Sequence, residues 1–167
     1  MEDTFRHKGL RKILVDGIRE KGIKDERILN AINTIPRHLF MDNAFIQFAY
    51  KDKAFPIGSG QTISQPYTVA LQTQLLDVKS HDKILEIGTG SGYQAAVLKA
   101  LDLDVYTIER QKDLFQKTQE FLPAIGYNCN FFYGDGYKGL PNFAPFDRII
   151  ITCGAIEVPR SLLSQLK

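Results

Sequence analysis

The sequence predicts an α/β fold, a mostly parallel sheet with crossover helices behind a group of N-terminal helices. Three observations carry this. From Lys83 onward, short apolar runs alternate with helical patterns, the signature of βαβ units. A glycine cluster joins the first apolar run to the helix after it. Before Lys83, apolar residues recur at helical spacing. The chain has 167 residues, 44% apolar and 24% charged, which suits one domain with a sizeable core. The whole of 1–167 is therefore expected to form a single domain. Within it, 1–80 supplies helices and a loop, and 81–167 carries the glycine turn.

The first third reads as short helices. Leu10, Ile13, Leu14 and Ile18 share one helical face, as do Ile28, Leu29, Ile32 and Ile35. Asp25 suits an N-cap for the second helix, and Pro36 ends it. Residues 49 to 65 are rich in turn residues without periodicity and read as loop. Pro66 sits where a helix accepts proline, at its first position. Tyr67, Ala70, Leu71, Leu75 and Val78 form an apolar stripe after it.

Lys83 to Ile87 reads as the first strand of the second part, followed by a helix through about Leu101. Asp104 to Ile108 is the next strand, and Gln111 to about Ile125 the next helix. Asn128 to Tyr133 is a third strand, with Phe131, Phe132 and Tyr133 expected in the core. Phe146 to Thr152 is a fourth, whose Ile149-Ile150-Ile151 run suits burial on both faces. A last helix runs from about Pro159 to Leu166. Cys153, just past the fourth strand, reads as a small core residue.

Composition narrows the function. The net charge is +2, from 21 basic and 19 acidic residues with the signs interspersed, so the electrostatic footprint of a duplex nucleic-acid binder is missing. Apolar runs are only a few residues long, too short for a membrane-spanning helix. Met1 to Lys8 has no apolar stretch leading to a small-residue cleavage site. Cys129 and Cys153 do not make a disulfide scaffold, and a cytoplasmic location follows. His7 and His81 read as surface residues and His38 as a structural one. Three isolated histidines and two distant cysteines give no zinc spacing, so no metal is expected.

The most informative stretch is Leu85-Glu86-Ile87-Gly88-Thr89-Gly90-Ser91-Gly92-Tyr93. Glycines between strand and helix let the backbone turn tightly and approach a ligand closely. Glu109 follows at the end of the next strand, where a carboxylate can accept hydrogen bonds from both ribose hydroxyls of a nucleoside. A dinucleotide fold wants Gly-x-Gly-x-x-Gly, but here the third glycine comes one residue early. Glu86 sits two residues before Gly88. A carboxylate facing the turn repels a pyrophosphate but suits the cationic amino-acid part of S-adenosylmethionine. The third strand ends in Gly134-Asp135-Gly136, where an acidic side chain can meet the adenine amino group. Carboxylates ending three consecutive strands suit a cleft at a topological switch point.

Beyond the turn, the chain resembles the protein-L-isoaspartate(D-aspartate) O-methyltransferase family. The matching segments are Ile35 to Phe40, Ala54 to Gly58, Gly60 to Tyr67, Ile84 to Ala96, Gly134 to Gly136 and Pro145 to Ile150. The Gln61-Thr62-Ile63-Ser64 loop is more specific than the glycine turn. The resemblance implies a Rossmann-like S-adenosylmethionine-dependent methyltransferase that repairs damaged proteins. A methyl group moves from S-adenosylmethionine to the free α-carboxylate of an L-isoaspartyl residue. It implies that Ser64 is the active-site residue. Thr62, Ile63, Glu86, Gly88, Gly90, Gly92, Glu109, Asp135 and Gly136 would bind the cofactor. Partners would be isoaspartyl-containing proteins and peptides, with no nucleic acid, no membrane and a monomeric enzyme.

The family pattern continues past Lys167 with Gly-Gly, another strand and an antiparallel pair. The expectation is a fold truncated after its fourth strand–helix unit. Its open edge would favour association or lower stability and activity. Three other readings stay open. One is a methyltransferase for another acceptor such as RNA or a small molecule, disfavoured by the Gln61 to Tyr67 loop. Another is an S-adenosylmethionine-binding fragment without catalysis. A nicotinamide-dependent oxidoreductase is disfavoured by the glycine spacing.

Overall fold

The computed structural model describes residues 2–155 and 157–167. Helix α1 (Phe5–Glu20) is capped by Thr4 and α2 (Glu26–Thr34) by Asp25, whose carboxylate accepts from the Arg27 N–H. After two 3-10 segments, Arg37–Phe40 and Asn43–Phe48, come strands β1 (Phe55–Gly58) and β2 (Gln61–Ile63). Helix α3 (Pro66–Leu75) follows, with proline in its first turn. Then β3 (Lys83–Ile87), α4 (Tyr93–Ala100), β4 (Asp104–Glu109), α5 (Lys112–Ala124), β5 (Asn130–Tyr133), β6 (Arg148–Ile151) and the short α6 (Arg160–Leu163) complete the chain.

The main sheet is parallel, with strand order β5-β4-β3-β6. Strands β4 and β5 step outward on one side of β3, and β6 lies on the other side. The order reverses between β3 and β6, so a crevice opens at their carboxyl ends. The larger core joins α1 to α4 with the Ile84 and Val105 face of the sheet. A smaller cluster, Leu85, Ile87, Ile108, Phe146 and Leu162, covers the other face. Beyond β6, Leu166 makes a single parallel bridge with Phe146. Among the described residues, no helix is long and apolar enough to cross a membrane.

Several expectations need correction, each for a physical reason. Residues 49 to 65 are not all loop, because β1 and β2 form an antiparallel hairpin there. Pro56 and the glycines mask its alternation, and a two-stranded ribbon tolerates a proline that a central strand would not. Helix α1 buries Arg11, Leu14, Val15 and Ile18, while Leu10 and Ile13 face solvent. Arg11 goes inside because Asp3 and Tyr50 meet its guanidinium. In α3, Thr73 is buried and Leu75 is 75% exposed. The Thr73 hydroxyl donates to the Val69 carbonyl and accepts from Gln94, so it enters the core with its polar group satisfied. In β6 only Ile150 is buried, with Ile149 and Ile151 partly covered. Tyr133 is exposed against the Phe115 ring, and Phe131 and Phe132 are only partly buried.

Candidate active site

The turn after β3 runs through Gly88, Gly90 and Gly92, all with positive φ. Gly92 is required twice. Its φ is +81°, and a Cβ there would lie 2.7 Å from both Leu122 Cδ1 and Thr118 Cγ2. Helix α5 therefore packs directly on the turn, and the Thr118 hydroxyl donates to the Gly90 carbonyl at 2.8 Å. Glu109, at the end of β4, is nearly buried. Its Oε2 accepts the Gly90 N–H and its Oε1 the Gln111 N–H, both at 2.8 Å. Each oxygen keeps lone-pair capacity for another donor. Past β5, Asp135 Oδ1 accepts the Tyr137 N–H at 3.0 Å. A Cβ on Gly136 would overlap Ile87 Cγ2, so this segment lies tight on the end of β3.

The β1–β2 hairpin and the start of α3 form the opposite wall. Buried Ile63 anchors it. Ser64 is half-buried, and its hydroxyl makes no hydrogen bond among the described residues. It does not cap α3; the N-cap is Gln65, without a side-chain bond. The Tyr67 N–H donates instead to Asp52 Oδ1 at 2.8 Å. Asp52 Oδ2 accepts from Gln65 Nε2 and Lys21 Nζ, and the Lys21 ammonium contributes to holding the Asp52 carboxyl below its usual range against the cost of burial. Arg37, fully buried, donates to the carbonyls of Ala49, Lys53 and Ser64 at 2.9, 3.2 and 2.9 Å. Asp52 and Arg37 thus fix the Ser64 loop, and sequence reasoning missed both roles. The Pro36-Arg37 pair within the family-like segment was the available signal for Arg37.

These walls enclose a cavity of about 270 Å³, near the lower end of the roughly 300–1,000 Å³ of ligand sites. Thr62, Ile63, Ser64, Gly88, Gly90, Glu109, Asp135 and Gly136 all line it; Glu86 and Gly92 do not. Gly92 lies behind the turn. Strand alternation places Glu86 with Ile84, on the side facing the larger core. Its Oε2 accepts from the Thr107 hydroxyl at 2.6 Å, and Oε1 has no partner. Burial pushes its carboxyl up to about 8, opposed by the Thr107 bond and assisted by the Glu109 charge. Thr107 Oγ1 also lies 2.6 Å from Thr89 Oγ1, and Thr89 lines the cavity. Since Thr107 donates its proton to Glu86, Thr89 is the donor in that pair. Glu86 therefore connects to the cleft through two hydroxyls. Cys153, expected in the core, is exposed and lines the cleft, because β6 ends at Ile151.

Residues 9–167 match the family model for protein-L-isoaspartate(D-aspartate) O-methyltransferase. The chain belongs to that family. The protein-L-isoaspartate O-methyltransferase of Christiangramia forsetii is 60% identical over 168 residues, covering 100% of this chain and 79% of its relative. That of Cytophaga hutchinsonii is 58% identical, with 76% of its length covered. A solved protein-L-isoaspartate O-methyltransferase superposes with a TM-score of 0.85 at 31% identity, over 94% of this chain and 52% of that one. A Plasmodium falciparum chain solved with S-adenosyl-L-homocysteine shares the fold at 24% identity (TM-score 0.80), over 94% of this chain and 79% of that one.

Proposed function

We propose that the chain is a protein repair methyltransferase that moves a methyl group from S-adenosylmethionine to the free α-carboxylate of L-isoaspartyl residues. The observation that carries this is the meeting of two walls at one cleft in a member of this family. One wall is the glycine turn with Glu109 and Asp135, and the other is the Ser64 loop.

The residues present fit the cofactor. Glu109 keeps acceptor capacity for a ribose diol beside the turn. Asp135, with one oxygen engaged by its own turn, has the other for an amino group. Glu86, whose carboxyl burial raises to about 8, is mostly protonated at neutral pH and reaches the cleft only through the Thr107 and Thr89 hydroxyls, so it braces the turn rather than charging it. When bound, the cofactor supplies a methyl group already activated on a sulfonium.

The chain's own residues then have little chemistry to perform. A free α-carboxyl titrates at roughly 3.3–3.7, so the acceptor is ionised at neutral pH and needs no general base. Ser64 donates its free hydroxyl to that carboxylate and orients it. Arg37 and Asp52 hold Ser64 in place through its own carbonyl and through Gln65 and Tyr67 just after it. Such positioning can supply up to about 7–11 kcal/mol of barrier lowering. The first turn of α3 is not available to the substrate at Tyr67, whose N–H Asp52 already occupies.

The same reading treats 1–167 as one methyltransferase domain acting on isoaspartyl proteins in the cytoplasm, as a monomer, without nucleic acid or membrane. Interspersed surface charge supports it. A dimer found by sedimentation at micromolar concentration would point to the outer edge of β6. The deciding assay compares two peptides identical except for L-isoaspartate or aspartate, with methyl-labelled S-adenosylmethionine. Base-labile ester on the isoaspartyl peptide alone is expected. Ester on neither, or on both equally, overturns the reading.

A further inference from the structure

Away from the cleft, the start of α1 meets the 3-10 segment Arg37–Phe40 in a cluster of Asp3, His7 and His38. One ligand-type atom from each lies within 4.8 Å of the others. The two imidazole rings face each other with centroids 3.9 Å apart. Spacing along the chain hides this group, because His38 arrives from beyond α2. We propose that Asp3, His7 and His38 bind a zinc ion, with water completing the coordination sphere.

His38 is the strongest observation. It is 1% exposed, its Nδ1 lies 2.7 Å from the Tyr50 hydroxyl, and its buried Nε2 has no hydrogen-bond partner. A buried polar atom without a partner is rare in native structures and calls for a cause. An imidazole held by a hydrogen bond at one nitrogen and open at the other is the usual arrangement of a metal-ligating histidine. Tyr50 is itself held by Arg11, which donates to its hydroxyl at 3.1 Å. For ligation, His38 donates its Nδ1 proton to Tyr50 and offers the Nε2 lone pair. His7 differs, since its Nδ1 accepts the Thr4 N–H at 3.4 Å; to ligate through Nε2 it must give up that long bond and carry its proton on Nδ1.

Asp3 supplies the third donor. Arg11 forks onto its two oxygens at 3.1 and 2.9 Å, but a carboxylate has about four lone-pair sites and can hold a guanidinium and an ion together. The Arg11 charge works against a cation, and the Asp3 charge offsets it. Two imidazole nitrogens with one carboxylate oxygen suit zinc, whereas magnesium and calcium take oxygen donors. Tetrahedral ligands about 2.0–2.1 Å from zinc lie roughly 3.4 Å apart, so the donor atoms, within 4.8 Å of one another, draw in while the two facing rings splay apart. Partly exposed Asp3 and His7 can supply that movement. The ion would clamp the start of α1 onto His38. Its neighbour Arg37 donates to the Ser64 carbonyl, so the clamp bears on the loop without entering the cleft.

Cobalt(II) is the probe. The full chain, free of any histidine tag and stripped with chelator, is titrated at neutral pH. One equivalent of cobalt should give visible d–d absorption, displaced by zinc. His7→Gln and His38→Gln should each weaken binding tenfold or more, whereas His81→Gln, at an exposed histidine, should not. Zinc should raise the melting temperature of the wild type and not of His7→Gln. His7 is partly exposed, so that variant keeps the test valid should His38→Gln fail to fold. Absence of d–d bands, or equal cobalt affinity in wild type and His7→Gln, overturns the proposal.

Discussion

Replacing Arg37 by methionine tests whether the active-site loop is held from below. The Arg37 guanidinium is fully buried, and among the described residues no carboxylate forms an ion pair with it. It meets three carbonyls and the Met41 sulfur, and lies 5.4 Å from the Tyr93 ring centroid. Burial lowers its pKa, since desolvation disfavours the cation. Hydrogen bonds to a charged group contribute roughly 1.5–3 kcal/mol each, so losing three removes on the order of 4–9 kcal/mol. Against this, the variant no longer buries a charge, which in a protein interior costs several kcal/mol. Methionine refills part of the volume. The balance is a destabilisation of about 2–4 kcal/mol, read as a fall in melting temperature of roughly 5–15 °C for a domain of this size. Arg37→Lys should fall between, because an ammonium lacks the planar fork. In the methyl-transfer assay, both variants should lose turnover beyond what their folded fraction explains, since the Ser64 carbonyl is freed. A melting temperature of Arg37→Met within two or so degrees of wild type would refute the reasoning.

Ser64→Ala should lower turnover roughly 10–100-fold, the worth of one hydrogen bond to a charged group. Its melting curve should barely move, because the hydroxyl makes no hydrogen bond among the described residues; unchanged turnover removes Ser64 from the mechanism. Glu86, titrating at about 8 when folded against 4.5 when unfolded, binds more protons in the native state. Its contribution to stability is full below pH 4.5 and is lost as pH rises through 8. Glu86→Gln should flatten that decline in thermal melts, and equal slopes for the two proteins would discount the buried proton. Gly136→Ala should weaken cofactor binding measured by calorimetry and cost about 1–3 kcal/mol of stability, because its methyl must displace Ile87; wild-type behaviour would show that the loop after β5 is not tightly seated.

What could be read along the chain was what is encoded locally. The β3 strand, the glycine turn and Glu109 form one contiguous pattern, and they fold where expected. Alternation alone, applied to Leu85-Glu86-Ile87, would have turned Glu86 away from the cleft. The misassigned helix faces share a cause. Arg11 and Thr73 are buried because partners distant in sequence, Tyr50 and Gln94, satisfy them. A reading that reserves the interior for apolar residues rotates both stripes. The roles of Asp52 and Arg37 went unread for the same reason, since they depend on bonds to the distant Ser64 loop that no local pattern announces.

The parallel order β5-β4-β3-β6 also has a consequence for the time course of folding. The cleft draws on residues from Gln61 to Leu162, and β6 reaches β3 only after the chain between them has been crossed. The Asp147 carboxylate bonding the Lys83 N–H belongs to that late closure. Pairings so far apart form slowly, because the ordering entropy is spent before the contacts return it. Helices α1 and α2, which pack as sequence neighbours, can form well before. Refolding chains should therefore regain helical circular dichroism first and ligand binding last, with a helical but binding-incompetent species between.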